Sequence, residues 1–279
     1  MHGSKTNEEI LTRAVVALSS FLNSSIGPNI ETLRLIRVLG VLTSCGCYTR
    51  NSLFGGALLD HVIQQQQSDG GWTDPEETTW AIKLIKPIRG IENHSIPSAF
   101  QWLHSVQHPG GGWGRHLRDR PRIPITGLLL HLLPELSDQK AVNWLKKEWR
   151  KDFKGATKLT YKGAFFLLGL SASRVSVDDC SLIKDTHFFL HDEQNEDGGF
   201  GPWKDHPIGS DPWSTGIVLL GLLSYPELVK REIIEKAVDW LAENRLPNGL
   251  WPYHYIEEGS AYAYWGLVEA LKYLSKESD

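Results

Sequence analysis

Four segments of the chain share one layout, and this repeat limits the possible fold more than any other feature. A glutamine or its substitute stands six residues before an aromatic, with a glycine two residues before it. The copies are Gln66 to Trp72, Gln107 to Trp113, Gln194 to Phe200 and Arg245 to Trp251. Eleven residues before each aromatic lies a second marker: His61, Trp102, Phe189 and Trp240. Such a period at tens of residues is the signature of stacked supersecondary units. The 87 residues from Trp113 to Phe200, against 41 from Trp72 to Trp113, leave room for a worn copy around Trp144 and Gly155. A sixth copy is expected at the N-terminus, where Phe21 and Leu22 lead to a Gly27-Pro28 break.

Each unit reads as an outer helix, a glycine-rich turn bearing the aromatic, and an inner helix. The expected outer helices are 7–22, 52–66, 95–107, 138–149, 180–194 and 230–244. The inner ones are 30–43, 76–87, 123–133, 157–171, 212–224 and 259–274. Asp74-Pro75 and Asp211-Pro212 mark helix starts, a capping acid preceding a proline that needs no N–H partner. The inner segments are apolar nearly all round, so they should be buried on every side, whereas the outer ones keep a charged face. These features predict an all-α fold, with six hairpins closed as an (α/α)6 toroid and residues 1–279 forming one domain.

Composition removes other classes. A formal charge of −4 offers no general attraction for nucleic acid. No stretch has the roughly 18 apolar residues of a membrane span, and the N-terminus lacks the layout of a secretion signal. The three cysteines, Cys45, Cys47 and Cys180, have no paired spacing, which fits a reducing cytoplasm.

The turns QQSDGGW and QHPGGGW resemble the Q-x-x-x-G-x-W turns of the squalene-hopene and oxidosqualene cyclase superfamily. The resemblance extends to the β-domain of class II terpene cyclases and the β-subunit of protein prenyltransferases. It implies that all inner-helix N-termini face one mouth of a central cavity, and that the turn glutamines and aromatics tie neighbouring hairpins together.

It also implies where chemistry could sit. The family's acid comes from a D-x-D-D-T motif at the start of an inner helix. Here the nearest match is Asp74-Pro75-Glu76-Glu77-Thr78, with Glu76 as proton donor tuned by Asp74 and Glu77. The same run also reads as a well-capped helix start with acids in its first turn. At Asp211-Pro212-Trp213-Ser214-Thr215 only the first aspartate and the threonine match. Before the third inner helix, Arg115, Arg118, Arg120 and Arg122 could hold a diphosphate or carboxylate, or pair in solvent with acids such as Asp119. Trp80, Trp213, Tyr161, Phe165, Tyr262 and Trp265 are candidates for a wall that stabilises a carbocation, or for plain core. His254 could accept a proton or be structural.

The zinc set of the prenyltransferases fails, because Asp211 to Thr215 contains no histidine, and no D-D-x-x-D magnesium motif exists. The expectation is a cytoplasmic class II-like terpenoid cyclase, of isomerase or lyase type. It would cyclise an isoprenoid, a prenyl diphosphate, with no cofactor and no nucleic acid. Peripheral membrane contact, a homodimer or a partner subunit stay open. The alternatives are a non-catalytic toroid that binds a lipid or partner protein, and a zinc-free prenyl transferase.

Overall fold

A computed structural model describes residues 2–24, 32–52, 56–116, 118–155 and 158–276. The outer helices are α1 (His2–Ser24), α3 (Gly56–Gln64), α5 (Ser95–Ser105), α7 (Gln139–Phe153), α9 (Ser181–Asp192) and α11 (Arg231–Glu243). The inner helices are α2 (Thr32–Ser44), α4 (Pro75–Arg89), α6 (Ile123–Leu132), α8 (Thr160–Ala172), α10 (Pro212–Leu223) and α12 (Ile256–Lys276). No strand occurs among the described residues, and none of their helices is long and apolar enough to cross a membrane. The expected Gly27-Pro28 break lies outside the described residues.

Closure is seen in the packing order. Helix α2 packs on α4, α4 on α6, α6 on α8, α8 on α10 and α10 on α12, and α12 returns to α2. The all-α (α/α)6 ring is therefore the observed fold. Its inner helices α6, α8 and α10 are buried almost throughout, as their uniform apolarity requires. Asp74, Asp138 and Asp211 cap α4, α7 and α10, each accepting a bond from the backbone N–H three residues on.

The repeated turns are built alike. Gly70, Gly111, Gly198 and Gly249 all have φ of 90° or more, a region open to glycine. In each turn the aromatic's backbone N–H donates to a hydroxyl on the following inner helix: Trp72 to Thr78, Trp113 to Thr126, Phe200 to Thr215 and Trp251 to Ser260, all at 2.9 Å. The indoles of Trp72, Trp113 and Trp251 donate back to the carbonyls of Val62, Leu103 and Leu241 on the preceding outer helix. Gln66 and Gln194 reach carbonyls of the next unit, those of Ser95 and Ile233. Thus Thr78 and Thr215, read from sequence as remnants of an acid motif, hold the turns.

One boundary differs from expectation in a way that matters. Helix α12 starts at Ile256, not 259, because acids are favoured near the positive N-terminal end and Glu257 and Glu258 extend its first turn.

Buried histidines give the ring an acid limit. Both ring nitrogens of His191 are buried without a partner, and His187 contacts the Leu222 carbonyl through Nε2 at 3.0 Å. Burial pushes His191 down to about 4 and lowers His187 as well. The unfolded chain takes up these protons first, near about pH 6.5, so stability is full above that value and falls as the pH drops toward 4. His191 alone is expected to contribute a loss on the order of 2 kcal/mol between pH 7 and 5 in urea titrations. A His191→Phe variant should lose less over the same interval; an unchanged slope would assign the acid lability elsewhere.

Candidate functional site

The inner-helix N-termini surround a cavity of about 280 Å³ at one mouth of the ring. Its apolar wall is Tyr161 and Phe165 from α8, Trp213 from α10 and Tyr262 from α12. Trp213 is the hub. It meets Tyr161, Tyr262 and Phe165 with ring centroids 5.4, 5.7 and 6.3 Å away, and its buried indole N–H has no acceptor.

The polar side is organised by Arg37, a residue of α2 that sequence reasoning passed over. Arg37 is 7% exposed; its Nη2 donates to Glu76 Oε1 at 2.7 Å and its Nη1 forms an ion pair with Glu258 Oε1 at 2.8 Å. The bridge joins α4 to α12 across α2. Beside it Arg34 pairs with buried Glu257 and lies over the Tyr255 ring at 4.8 Å. Burial and the nearby Glu76 raise Glu258 above the usual carboxyl range, outweighing the opposing pull of Arg37. Burial likewise raises Tyr262, which stands next to this cluster.

The other expected acids lie off the cavity. Asp74 Oδ1 accepts the Glu77 N–H at 2.8 Å. Asp211 accepts both the backbone N–H and the hydroxyl of Ser214, at 2.7 and 2.6 Å. Burial raises Asp74, Glu77 and Asp211 alike, although these bonds act in the opposite direction; for Glu77 the opposing bonds come from Thr73. The geometry of Asp74 and Asp211 is that of caps, because a carboxylate oxygen at the N-cap is the natural partner of a free first-turn N–H, and Glu77 reaches back to Thr73 just before the helix.

The arginine loop divides. Arg115 and Arg122 reach the cavity lining, whereas Arg118 and Arg120 are exposed and do not. Arg122 is held by Asp119, at 2.7 and 3.1 Å, and this pairing pulls Asp119 down to about 2. Trp80 is wholly buried in the packing between α2 and α4, close against Gly40, and edge-on to Trp265 at 5.9 Å. Trp265 faces the far end of the bore, and His254 is exposed between Tyr253 and Tyr255. Among the described residues no three His, Cys, Asp or Glu side chains are grouped to hold a metal ion.

The closed ring matches the helical toroid fold of class II terpene cyclases, and comparisons with known proteins agree. The chain is similar to squalene–hopene cyclase of Zymomonas mobilis, 26% identical over 214 residues, covering 63% of this chain and 32% of the relative. It is also similar to lanosterol synthase of Pneumocystis carinii, 24% identical over 224 residues, or 74% of this chain and 24% of the relative. The chain thus spans a third or less of the length of these curated relatives. The fold matches the type II terpene cyclase MstE from Scytonema, solved with its substrate geranylgeranyl dihydroxybenzoate. The TM-score is 0.71 at 16% identity, over 96% of this chain and 99% of that one. No family model matches the sequence.

Proposed function

We propose that this chain, as one ring over residues 1–279, is a class II-like terpenoid cyclase. It would start the reaction by protonating an isoprenoid alkene in the mouth cavity. One observation carries this reading: two acids, Glu76 and Glu258, joined through a buried guanidinium, face the aromatic wall of Trp213, Tyr161, Phe165 and Tyr262. MstE supports it as a cyclase whose solved chain is matched along nearly its whole length, so one ring of this size can hold an isoprenoid.

The roles follow from the geometry. Glu258 is the proton donor, because its raised pKa favours keeping the proton until substrate arrives. A weak acid alone is a poor donor to carbon. Arg37 lessens this by stabilising the carboxylate left behind, without overcoming the effect of burial, while Glu76 holds Arg37 in place. The aromatic faces stabilise the carbocation formed. Arg115 and Arg122 receive an anionic head such as a diphosphate. The substrate is an isoprenoid of that kind, and the other sequence candidates, Asp74, Glu77 and Asp211, serve as caps.

The test is incubation with geranylgeranyl diphosphate and analysis for a cyclised product. Glu258→Gln should reduce turnover roughly a hundred-fold or more. In the parent, rate should fall as pH rises through the raised Glu258 range, since only the protonated form donates. Full activity in Glu258→Gln, with loss in Glu76→Gln, would return the donor role to Glu76. Activity in both would remove the acid mechanism.

A further inference from the structure

At the C-terminal ends of the inner helices lies a second, open well of about 520 Å³, larger than the mouth cavity and within the usual range of small-molecule sites. Trp265, Leu168, Leu220 and Leu223 supply its apolar lining, with Lys83 and His131 among them. A second groove of about 480 Å³, between α4 and α6, also includes Lys83 in its lining. Lys83 thus stands where the two spaces meet.

The charge pattern in this well is specific. Its acid Glu269 is engaged by Lys272 at 2.8 Å, and Glu135 of the adjoining groove is engaged by Lys86. Lys83 is half-buried and forms no direct ion pair among the described residues; burial works against its charge, and the Glu135 carboxylate of the adjoining groove works for it. His131 carries no charge to compete with it: its ring rests against Trp265 at 5.6 Å, and burial pushes it down to about 4. Ser44, Ser171 and Ser224 donate their hydroxyls to the carbonyls of Gly40, Ser224 and Gly221.

A half-buried ammonium with no direct ion partner over an apolar floor is costly and calls for one matching anion. We infer that the far well binds an apolar molecule with a single carboxylate head, the head on Lys83 Nζ and the chain across Trp265 and the leucines. A diphosphate would bring more negative charge than one ammonium can balance. The site is independent of the chemistry assigned to the mouth, and either can fail without the other.

Dodecanoate and dodecanol, titrated below their aggregation limits by calorimetry, test this. Dodecanoate should bind the parent, while dodecanol, or dodecanoate on Lys83→Met, should bind about ten-fold more weakly, the worth of a charge-assisted bond. Lys83→Arg should retain binding. Lys83→Met should melt no lower than the parent, since it removes a charge with no direct ion partner from a half-buried place. Quenching of fluorescence by 12-bromododecanoate locates the chain: Trp265→Phe should remove the quenched component and Trp213→Phe should leave it. Equal dodecanoate affinity in parent and Lys83→Met, no binding by the parent, or quenching that depends on Trp213 would each overturn the assignment.

Discussion

Replacement of Arg37 by methionine should lower the stability of the ring by about 3 kcal/mol at pH 8, measured by urea denaturation. Methionine keeps most of the apolar stem but removes the charge that satisfies Glu76 and Glu258. Those carboxylates are only 14% and 20% exposed, so each would be left charged in a poorly solvated place. The sign of the pH dependence is fixed by this cause. Lowering the pH neutralises the orphaned acids, so the deficit should shrink on the acid side. It should also shrink when Glu76→Gln and Glu258→Gln are added, because the triple variant has no unpaired charge. A methionine variant as stable as its parent at pH 8 would mean that water already screens the cluster. Turnover of an isoprenoid should drop with the same substitution, which links the central ion pair to the proposed proton donor.

Gly216→Ala should cost about 2–3 kcal/mol, because it forces apart two helices that touch through their backbones. An added Cβ would sit 2.2 Å from the Tyr262 carbonyl oxygen on α12, where no side chain can swing away. Gly127 repeats the arrangement between α6 and α8, with Phe165 oxygen 2.1 Å from the added carbon. Both contacts carry residues of the mouth wall, Tyr262 and Phe165, so the spacing of the ring and the width of its cavity are coupled. Gly56→Ala is the control: nothing lies within 4 Å of its added carbon, and its stability should be unchanged. If Gly216→Ala melts with the parent, the inner ring yields more easily than its packing indicates.

The turns show how much of the site was legible. Glutamine, glycine and aromatic at constant spacing identified the hairpins, because one backbone geometry recurs and only glycine accepts its positive φ without strain. The hydroxyl partner escaped notice. Thr78, Thr126, Thr215 and Ser260 stand at 6, 13, 15 and 9 residues from their aromatics, so the shared bond has no shared spacing. Aromatic wall residues on α8, α10 and α12 were recognisable from their place on buried helices. Trp80 and Trp265 looked equivalent to them, but depth along the helix decides which cavity a side chain reaches.

Local order in the chain was enough to determine the all-helical class, the six hairpins and the capped helix starts, since capping, periodicity and glycine turns act over a few residues. Only the closed ring decided the chemistry-bearing cluster. Arg37 and Glu258 lie 221 positions apart, and they meet because α12 returns to α2 and completes the circle. A bond of that kind depends on three-dimensional closure, so no spacing in the sequence records it. The same closure places the acids of the mouth cavity at one end of the ring and the space lined by Lys83 and Trp265 at the other.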